Sequence, residues 1–443
     1  MNANRYRLIF DKRTGMLIPV AEFTPAARKG NGRGAGEGMG DTTSPKWNRM
    51  FVAMTLAAGG LGSSWSLHSQ NMPTPDGSTN TTVTQTINGT PLINIANPNN
   101  GLSHNRFTDF NVGAQGVVFN NSRVDGVSQI GGSAMKNPHL QQNATGILAE
   151  VTGTDISRLQ GTMEVFGPAA DLLIANPNGL YVNGVSVLNA NSLTLTTGTP
   201  DATGRKFEVR RGHVEIGAGG LNTTGLGYFD IVARSIALHG DVTGENTTAR
   251  LAAGLNTLDR TTAARTITKR ENGGGAGAPA FGISGSEVGA MHGGHVTLMS
   301  TESGLGVRHE GRLTSMTDIA ITADGDLRLR RVEAGGSAYL SGDDVSLGGA
   351  GDTVQSQSGE IRHWLRVDSR GDFALEGLHN VERAQFNVGG TLTSTANLLA
   401  ENRAWNTEGR IDVIAGAIDI LGGQWSANHD LDIAAGRFGM RAG

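Results

Sequence analysis

The sequence contains no cysteine. Disulfides, thiolate metal sites and cysteine nucleophiles are therefore excluded outright. A chain that crosses an oxidising compartment unfolded has reason to avoid thiols, although drift in composition gives the same count. Aromatic residues make up only 5%, prolines number 12, and the net charge is only −4. No basic field argues for nucleic acid, and there is no acidic tail. A Walker-type loop ending in Gly-Lys-Ser/Thr and a Gly-x-Ser-x-Gly elbow are also missing, so phosphate cradling and acyl transfer lack their usual sequence marks. No enzyme activity, catalytic residue, metal or cofactor is expected.

What the chain has in quantity is glycine, 66 residues. Together with 37% hydrophobic content, this suits many short strands around a narrow, continuous core better than helices or a compact globule. A length of 443 ordinarily implies two or three domains, but an elongated repeat protein breaks that rule.

The organising stretch runs from Asp171 to Thr197. An apolar strand, Leu172 to Ala175, stops at Asn176-Pro177-Asn178-Gly179, where proline fixes its own φ and Asn and Gly tolerate left-handed geometry. Beyond it Val185 and Val187, then Leu193 and Leu195, alternate with polar residues, the period of a strand with one buried face. Strand, tight turn, strand, tight turn, strand describes one coil of a solenoid. A weaker copy stands earlier, from Leu92 to Asn105, with Asn97-Pro98-Asn99 followed by an extra Asn100 before Gly101. Asn-Pro-Asn is also plain turn chemistry, and that reading stays open.

After Val296 the repeat is more regular, with Ile319 and Ile321, Leu327 and Leu329, and Val345 and Leu347. Leu329 and Leu347 are 18 residues apart, and Phe373–Leu375 and Ile418–Ile420 follow at longer intervals. Coils of about 20 residues fit a parallel β-helix better than propeller blades or helical arrays. The fold class expected is all-β: a right-handed parallel β-helix with N-terminal capping strands, Val83 to Ile87 among them, and extra-helical strands. Residues 272–294 read as a flexible excursion from the solenoid. The end at Gly443 reads as mid-repeat, that of a truncated or naturally short stalk.

Gly101 to Val112, Gly116 to Asn121, Ile147 to Gly153, Ser157 to Gly161, Glu164 to Gly167, Leu172 to Thr197 and Thr224 to Arg234 together resemble the secretion domain of filamentous haemagglutinin-type exoproteins. The resemblance covers residues 80–310 densely, and the extreme N-terminus. It implies two-partner secretion, in which the periplasmic domains of a cognate outer-membrane β-barrel transporter recognise this N-terminal domain. It also implies the Sec translocon and signal peptidase as earlier partners, with host-cell glycans or receptors as later ones. The residues to which it gives a secretion role are Asn97, Pro98, Asn99, Asn105, Asn176, Pro177, Asn178 and Gly179. The extra Asn100 is a departure that leaves the first copy's role less certain.

Residues 1–69 read as an extended signal region. Asn4 to Lys12 and Gly15 to Glu22 precede a Gly/Arg linker, Lys29 to Gly40, and an apolar run from Met50 to Leu61 with Lys46 and Arg49 before it. Ser69 suits a cleavage point, although Leu67 is larger than the small residue preferred there. The expected division is thus 1–69 for targeting, 70–310 for the secretion domain and 311–443 for the start of a repetitive stalk.

Three further features bear on function. His292 and His295 bracket two glycines without a carboxylate cluster beyond Glu287, and Asp343-Asp344 stands beside Gly342; the first is a poor metal site, and the second reads as a turn rather than a calcium site. Arg370-Gly371-Asp372 is a possible integrin motif, but Gly325-Asp326-Leu327 precedes a strand in the same way. Two other functions compete with an adhesin: the delivery stalk of a contact-dependent growth-inhibition toxin, and a β-helical polysaccharide-degrading enzyme.

Overall fold

The computed structural model describes residues 6–11, 16–21, 72–262, 265–270, 280–349, 357–401 and 409–440. Two units separate, Met1–Ser63 and Ser64–Gly443. In the first, Tyr6–Asp11 and Met16–Ala21 form an antiparallel hairpin with Tyr6 opposite Ala21. The apolar run, the Gly/Arg linker and the Ser69 cleavage point lie outside the described residues.

The second unit is a parallel β-helix, and no helix occurs among its described residues. Three ladders form its sides. The first stacks Leu102–Asp109, Gly146–Val151, Ala170–Ala175, Ala190–Thr196 and Tyr228–Ala233, and continues to Asp430–Met440. The second stacks Ser157–Leu159, Leu180–Val182, His213–Ile216 and Ser235–Leu238. The third begins with Pro91–Asn94, Val117–Asn120 and Met163–Phe166. Strands joined by crossovers within one parallel sheet take the right-handed sense that L-residues impose.

The period of two decides what faces inward. Ile147, Leu172, Leu193, Phe229 and Ala249 are successive partners in one column, and Ala149, Ile174, Leu195, Ile231 and Leu251 in the next. All are buried, and large and small side chains share the width of a single core. Leu329 is the ladder partner of Leu347, and Leu347 that of Leu375, so the spacing of 18 is one coil. Phe373 pairs with Leu392, and Leu392 with Ile418, two further coils.

The first coil is closed by polar residues. At the foot of the two columns, opposite Ile147 and Ala149, stand Ser103 and Asn105. Thr74–Pro75 runs antiparallel to Leu102–Asp109, and Thr82–Gln85 antiparallel to Pro91–Asn94, so the capping strands cover edges that parallel coils leave unpaired.

Strands outside the helix bury parts of its outer surface. Gly198–Pro200, Lys206–Val209, Asn256–Asp259 and Thr266–Lys269 form an antiparallel sheet. Phe207, Val209 and Leu258 from this sheet pack on Leu148, Leu173 and Val232, which point outward from the first ladder. Arg260 and Arg265 reach from the same sheet to Asp171 at 3.0 and 3.1 Å. A second hairpin, Gly126–Ser128 with Gly132–Ala134, lies against Phe166 and Val118. The buried carboxylate of Glu164 fixes that hairpin, accepting Ser128 Oγ at 2.7 Å and the N–H groups of Gln129 and Ile130 at 2.9 and 3.0 Å.

The expected excursion at 272–294 is corrected in part. Phe281–Gly285 is a second-ladder strand, and Met291–Ser300 pairs with Val242–Ala253. Residues 271–279 lie outside the described ones. Residues 310 and 311 stand within one strand, Gly306–Ser315.

Candidate functional site

The two Asn-Pro-Asn segments occupy different corners. Asn176 to Gly179 follows Ala170–Ala175 and turns the chain from the first ladder into the second. Asn97 to Asn99 follows Pro91–Asn94 and turns it from the third ladder into the first. They share residues but not a place in the coil, so one is not a weaker copy of the other.

Asn176 is fully buried. Its Nδ2 donates to the Asp155 carbonyl at 2.9 Å and to Ser157 Oγ at 3.0 Å. Its Oδ1 accepts the N–H of Asn178 at 2.9 Å and Asn178 Nδ2 at 3.0 Å, so every hydrogen-bonding position of the amide is used. Asn178 Nδ2 also donates to the Gly153 carbonyl at 2.9 Å, and Asn178 Oδ1 accepts Arg211 Nη2 at 3.0 Å. Pro177 holds φ between the two asparagines. Gly179 has a φ of +134°, and a Cβ there would stand 2.9 Å from the His213 carbonyl oxygen.

Asn97 is exposed, and its Oδ1 accepts the N–H of Gln141 at 2.8 Å. The carbonyl of buried Pro98 accepts Gln142 Nε2 at 3.2 Å. Asn99 is exposed and exchanges backbone hydrogen bonds with Leu102 at 2.9 and 3.1 Å. The extra Asn100 takes a positive φ of 49°, which lets the tight turn close.

The buried amide of the first coil is Asn105. Its Oδ1 accepts Thr81 Oγ1 at 2.8 Å and the Ala96 N–H at 2.9 Å, while its Nδ2 donates to the carbonyls of Ser103 and Leu148, both at 3.1 Å. One side chain thus joins the cap, the turn after Asn94 and the first two rungs. Sequence reasoning missed Ser157 and Arg211 as supports of the Asn176 turn. The signal for Ser157 was its spacing, since it stands 19 residues before Asn176, close to one coil.

Arg370-Gly371-Asp372 lies at a corner. Leu327 and Phe373 share a ladder two coils apart, which puts Gly325-Asp326 and Gly371-Asp372 at equivalent places. Arg370 is bonded to Asp343, and Asp324 is 3.7 Å away. The hydrogen bond that Arg370 donates to Asp343 raises the pKa of this guanidinium above its ordinary value. Asp344 Oδ1 accepts the Asp372 N–H at 2.8 Å, and Asp372 Oδ1 accepts the Thr391 N–H at 2.7 Å. Both partners that an integrin would use are engaged in stacking coils. We expect Asp372→Glu to leave attachment to integrin-bearing cells unchanged in a cell-binding assay; a several-fold loss with folding intact would make the motif a site.

His292 and His295 face threonines in neighbouring coils, Thr243 and Thr248. Among the described residues, no group of three or more His, Cys, Asp or Glu is placed to hold a metal ion.

This capped parallel β-helix, with buried asparagines bonding its early coils, shares its fold with a known secretion domain. Residues 71–329 match the TPS secretion domain, and residues 1–45 match the Extended Signal Peptide of Type V secretion system. The chain belongs to the TPS secretion domain family, and it is exported through the periplasm to the surface or exterior of a Gram-negative cell. It is 45% identical over 363 residues, 79% of its length, to filamentous hemagglutinin of Bordetella pertussis. It is 33% identical over 342 residues, 74% of its length, to toxin CdiA of Yersinia pestis. The chain spans about a tenth of the length of these curated relatives, 10% of each. Among solved structures, the filamentous hemagglutinin secretion domain is 40% identical, with a TM-score of 0.58, covering 78% of this chain and 100% of that one.

Proposed function

We propose that residues 70–310 are the secretion-determining domain of a haemagglutinin-like adhesin, recognised by the periplasmic domains of a cognate outer-membrane β-barrel transporter. Residues 1–69 serve the Sec translocon and signal peptidase, and residues 311–443 begin a repetitive β-helical stalk. The role is binding rather than catalysis, with host-cell glycans or receptors as the eventual ligands. The observation that carries this reading is the family match over residues 71–329, which contains the cap and both buried asparagine networks.

A mechanism follows from the fold. The chain leaves the transporter unfolded and folds outside, each new coil stacking on the last. Outward movement is biased by burial of each successive rung, without ATP at the outer membrane. The N-terminal cap and Asn105 close the end that forms first.

Co-expression tests the reading. With the cognate transporter, the chain is expected in the medium or on the surface, with its mature N-terminus between Gln70 and Thr74 by mass spectrometry. Export without any transporter overturns the reading, and a secreted chain that begins at Met1 overturns the targeting assignment.

The likeness to toxin CdiA supports a second reading, in which the chain is the delivery stalk of a contact-dependent growth-inhibition toxin. Contact killing of neighbouring cells by the producing strain, or its absence, separates the two.

A further inference from the structure

The hairpin of Gly126–Ser128 and Gly132–Ala134 has an outward face that no described residue covers. Ser128 and Ala134 point inward and are buried, so Val127 and Ser133, a register pair, point outward. Met135 lies two places beyond Ser133, on the same side. Ile87 joins them from the turn of the cap, since a Cβ on Gly132 would stand 3.3 Å from Ile87 Cγ2. With Val124, which precedes the hairpin, these aliphatic side chains are 70–81% exposed. Such a cluster marks a contact surface better than single apolar residues do. The face is also held in place, because Glu164 bonds the turn of the hairpin from beneath and Phe166 and Val118 pack under it. A face already ordered loses little conformational entropy on docking.

Three charged groups flank the patch. The Ser122 carbonyl accepts the Asn137 N–H at 2.8 Å, which sets Arg123 beside Lys136 at the base of the hairpin. Asp125 Oδ1 accepts the backbone N–H of Lys136 at 2.7 Å. Among the described residues, the side chains of Arg123, Asp125 and Lys136 form no ion pair, with one another or with any other group.

Both signs of charge on one small face decide the partner. An anionic lipid surface would set its phosphates against Asp125, and a partner of one sign would leave the other unmatched. A second copy turned about a two-fold axis supplies both signs, because residue i of one copy meets residue j of the other and j meets i.

We propose that this face is a contact between two copies of the chain, with Val127 and Met135 at the two-fold axis and Asp125 of each copy against Arg123 or Lys136 of the other. The contact forms between folded chains and does not rest on the secretion reading. Four aliphatic side chains cover less than the standard interface of about 800 Å² per partner, so a weak pair is expected, with a Kd on the order of 10–100 μM.

Sedimentation velocity on the secreted full chain, from about 1 to 300 μM, tests it. The wild type is expected to pass from monomer to dimer over that range. Val127→Asp, which leaves the inner face of the hairpin untouched, is expected to raise Kd about tenfold or more. Arg123→Asp with Lys136→Asp is expected to do the same, and adding Asp125→Lys to that chain is expected to restore most of the loss. Because Asp125 also bonds the Lys136 backbone, Val127→Asp is the deciding variant, with melting temperatures measured for all. Phosphatidylglycerol vesicles are the second probe and are expected not to bind. The proposal is overturned if the chain stays monomeric at the highest concentration. It is also overturned if the dimer survives Val127→Asp, as association through the exposed last strand, Asp430–Met440, would. Vesicles that bind the wild type but not Val127→Asp would overturn it too, giving the face to a lipid surface.

Discussion

Replacing Asn176 with Asp is expected to destabilise the folded chain by about 3 kcal/mol and to cut secreted yield severely. The amide donates to the Asp155 carbonyl and to Ser157 from a fully buried position. A carboxylate there would set one oxygen against the other and bury a charge without a cation. The same change at Asn97 is expected to cost no more than about 0.5 kcal/mol, because that side chain is exposed and only accepts a hydrogen bond. Secreted yield, measured beside the melting temperature of purified chain, checks both. A fall in export beyond the fall in stability assigns Asn176 a part in transporter recognition. Normal yield in both variants would return the two asparagines to ordinary turn residues.

The second large effect concerns pH. His309 is fully buried, and among the described residues neither ring nitrogen has a hydrogen-bond partner of normal geometry. Burial lowers its pKa from 6.5 to about 4, with only the Gly311 backbone opposing the shift. The unfolded chain takes up a proton near pH 6.5, whereas the folded one refuses it until about pH 4. Its contribution is therefore complete above the unfolded value and is lost as pH falls through that window. The loss is about 3 kcal/mol, at 1.36 kcal/mol for each pKa unit. Carboxylates held below their ordinary pKa, such as Asp412, act in a more acidic window. Urea melts of the wild type and His309→Leu at pH 7.5 and 4.5 separate the two contributions. The wild type should lose several times more stability than the variant; equal losses would show that His309 does not titrate in this range.

The coil itself was legible because alternation in one strand and a turn after it fix which face is inward. Leu172, Ile174, Leu193 and Leu195 needed nothing more. What covers the outward face was not legible. Leu148 and Leu173 read as strand residues of either face, and their cover, Phe207 and Leu258, comes from antiparallel strands far along the chain. Glycine misled the reading of 272–294 for a definite reason. A Cβ on Gly285 would stand 2.3 Å from the His309 ring, so this glycine makes room between coils rather than bending the chain. A single sequence does not distinguish those two uses. The Asn176 turn was visible as a turn, but its saturation with hydrogen bonds depends on Asp155 and Ser157 in the preceding coil.

The outer antiparallel sheet changes how the molecule bears a load. In a plain solenoid each coil is held only by its neighbours, so a pull along the chain peels coils away one at a time. Here Arg205 bonds to the Asn100 carbonyl, and Arg260 and Arg265 to Asp171. Those bonds span 105, 89 and 94 residues of sequence, several coils at once. Lys269 on the same sheet carries the tie on to Asp324, and Arg370 also reaches Asp324. Coils from Asn100 to Arg370 therefore share a load, whereas among the described residues the coils after it are held by their neighbours. Tension applied to the distal part of the chain is therefore expected to extend the last coils stepwise before the clamped region gives way.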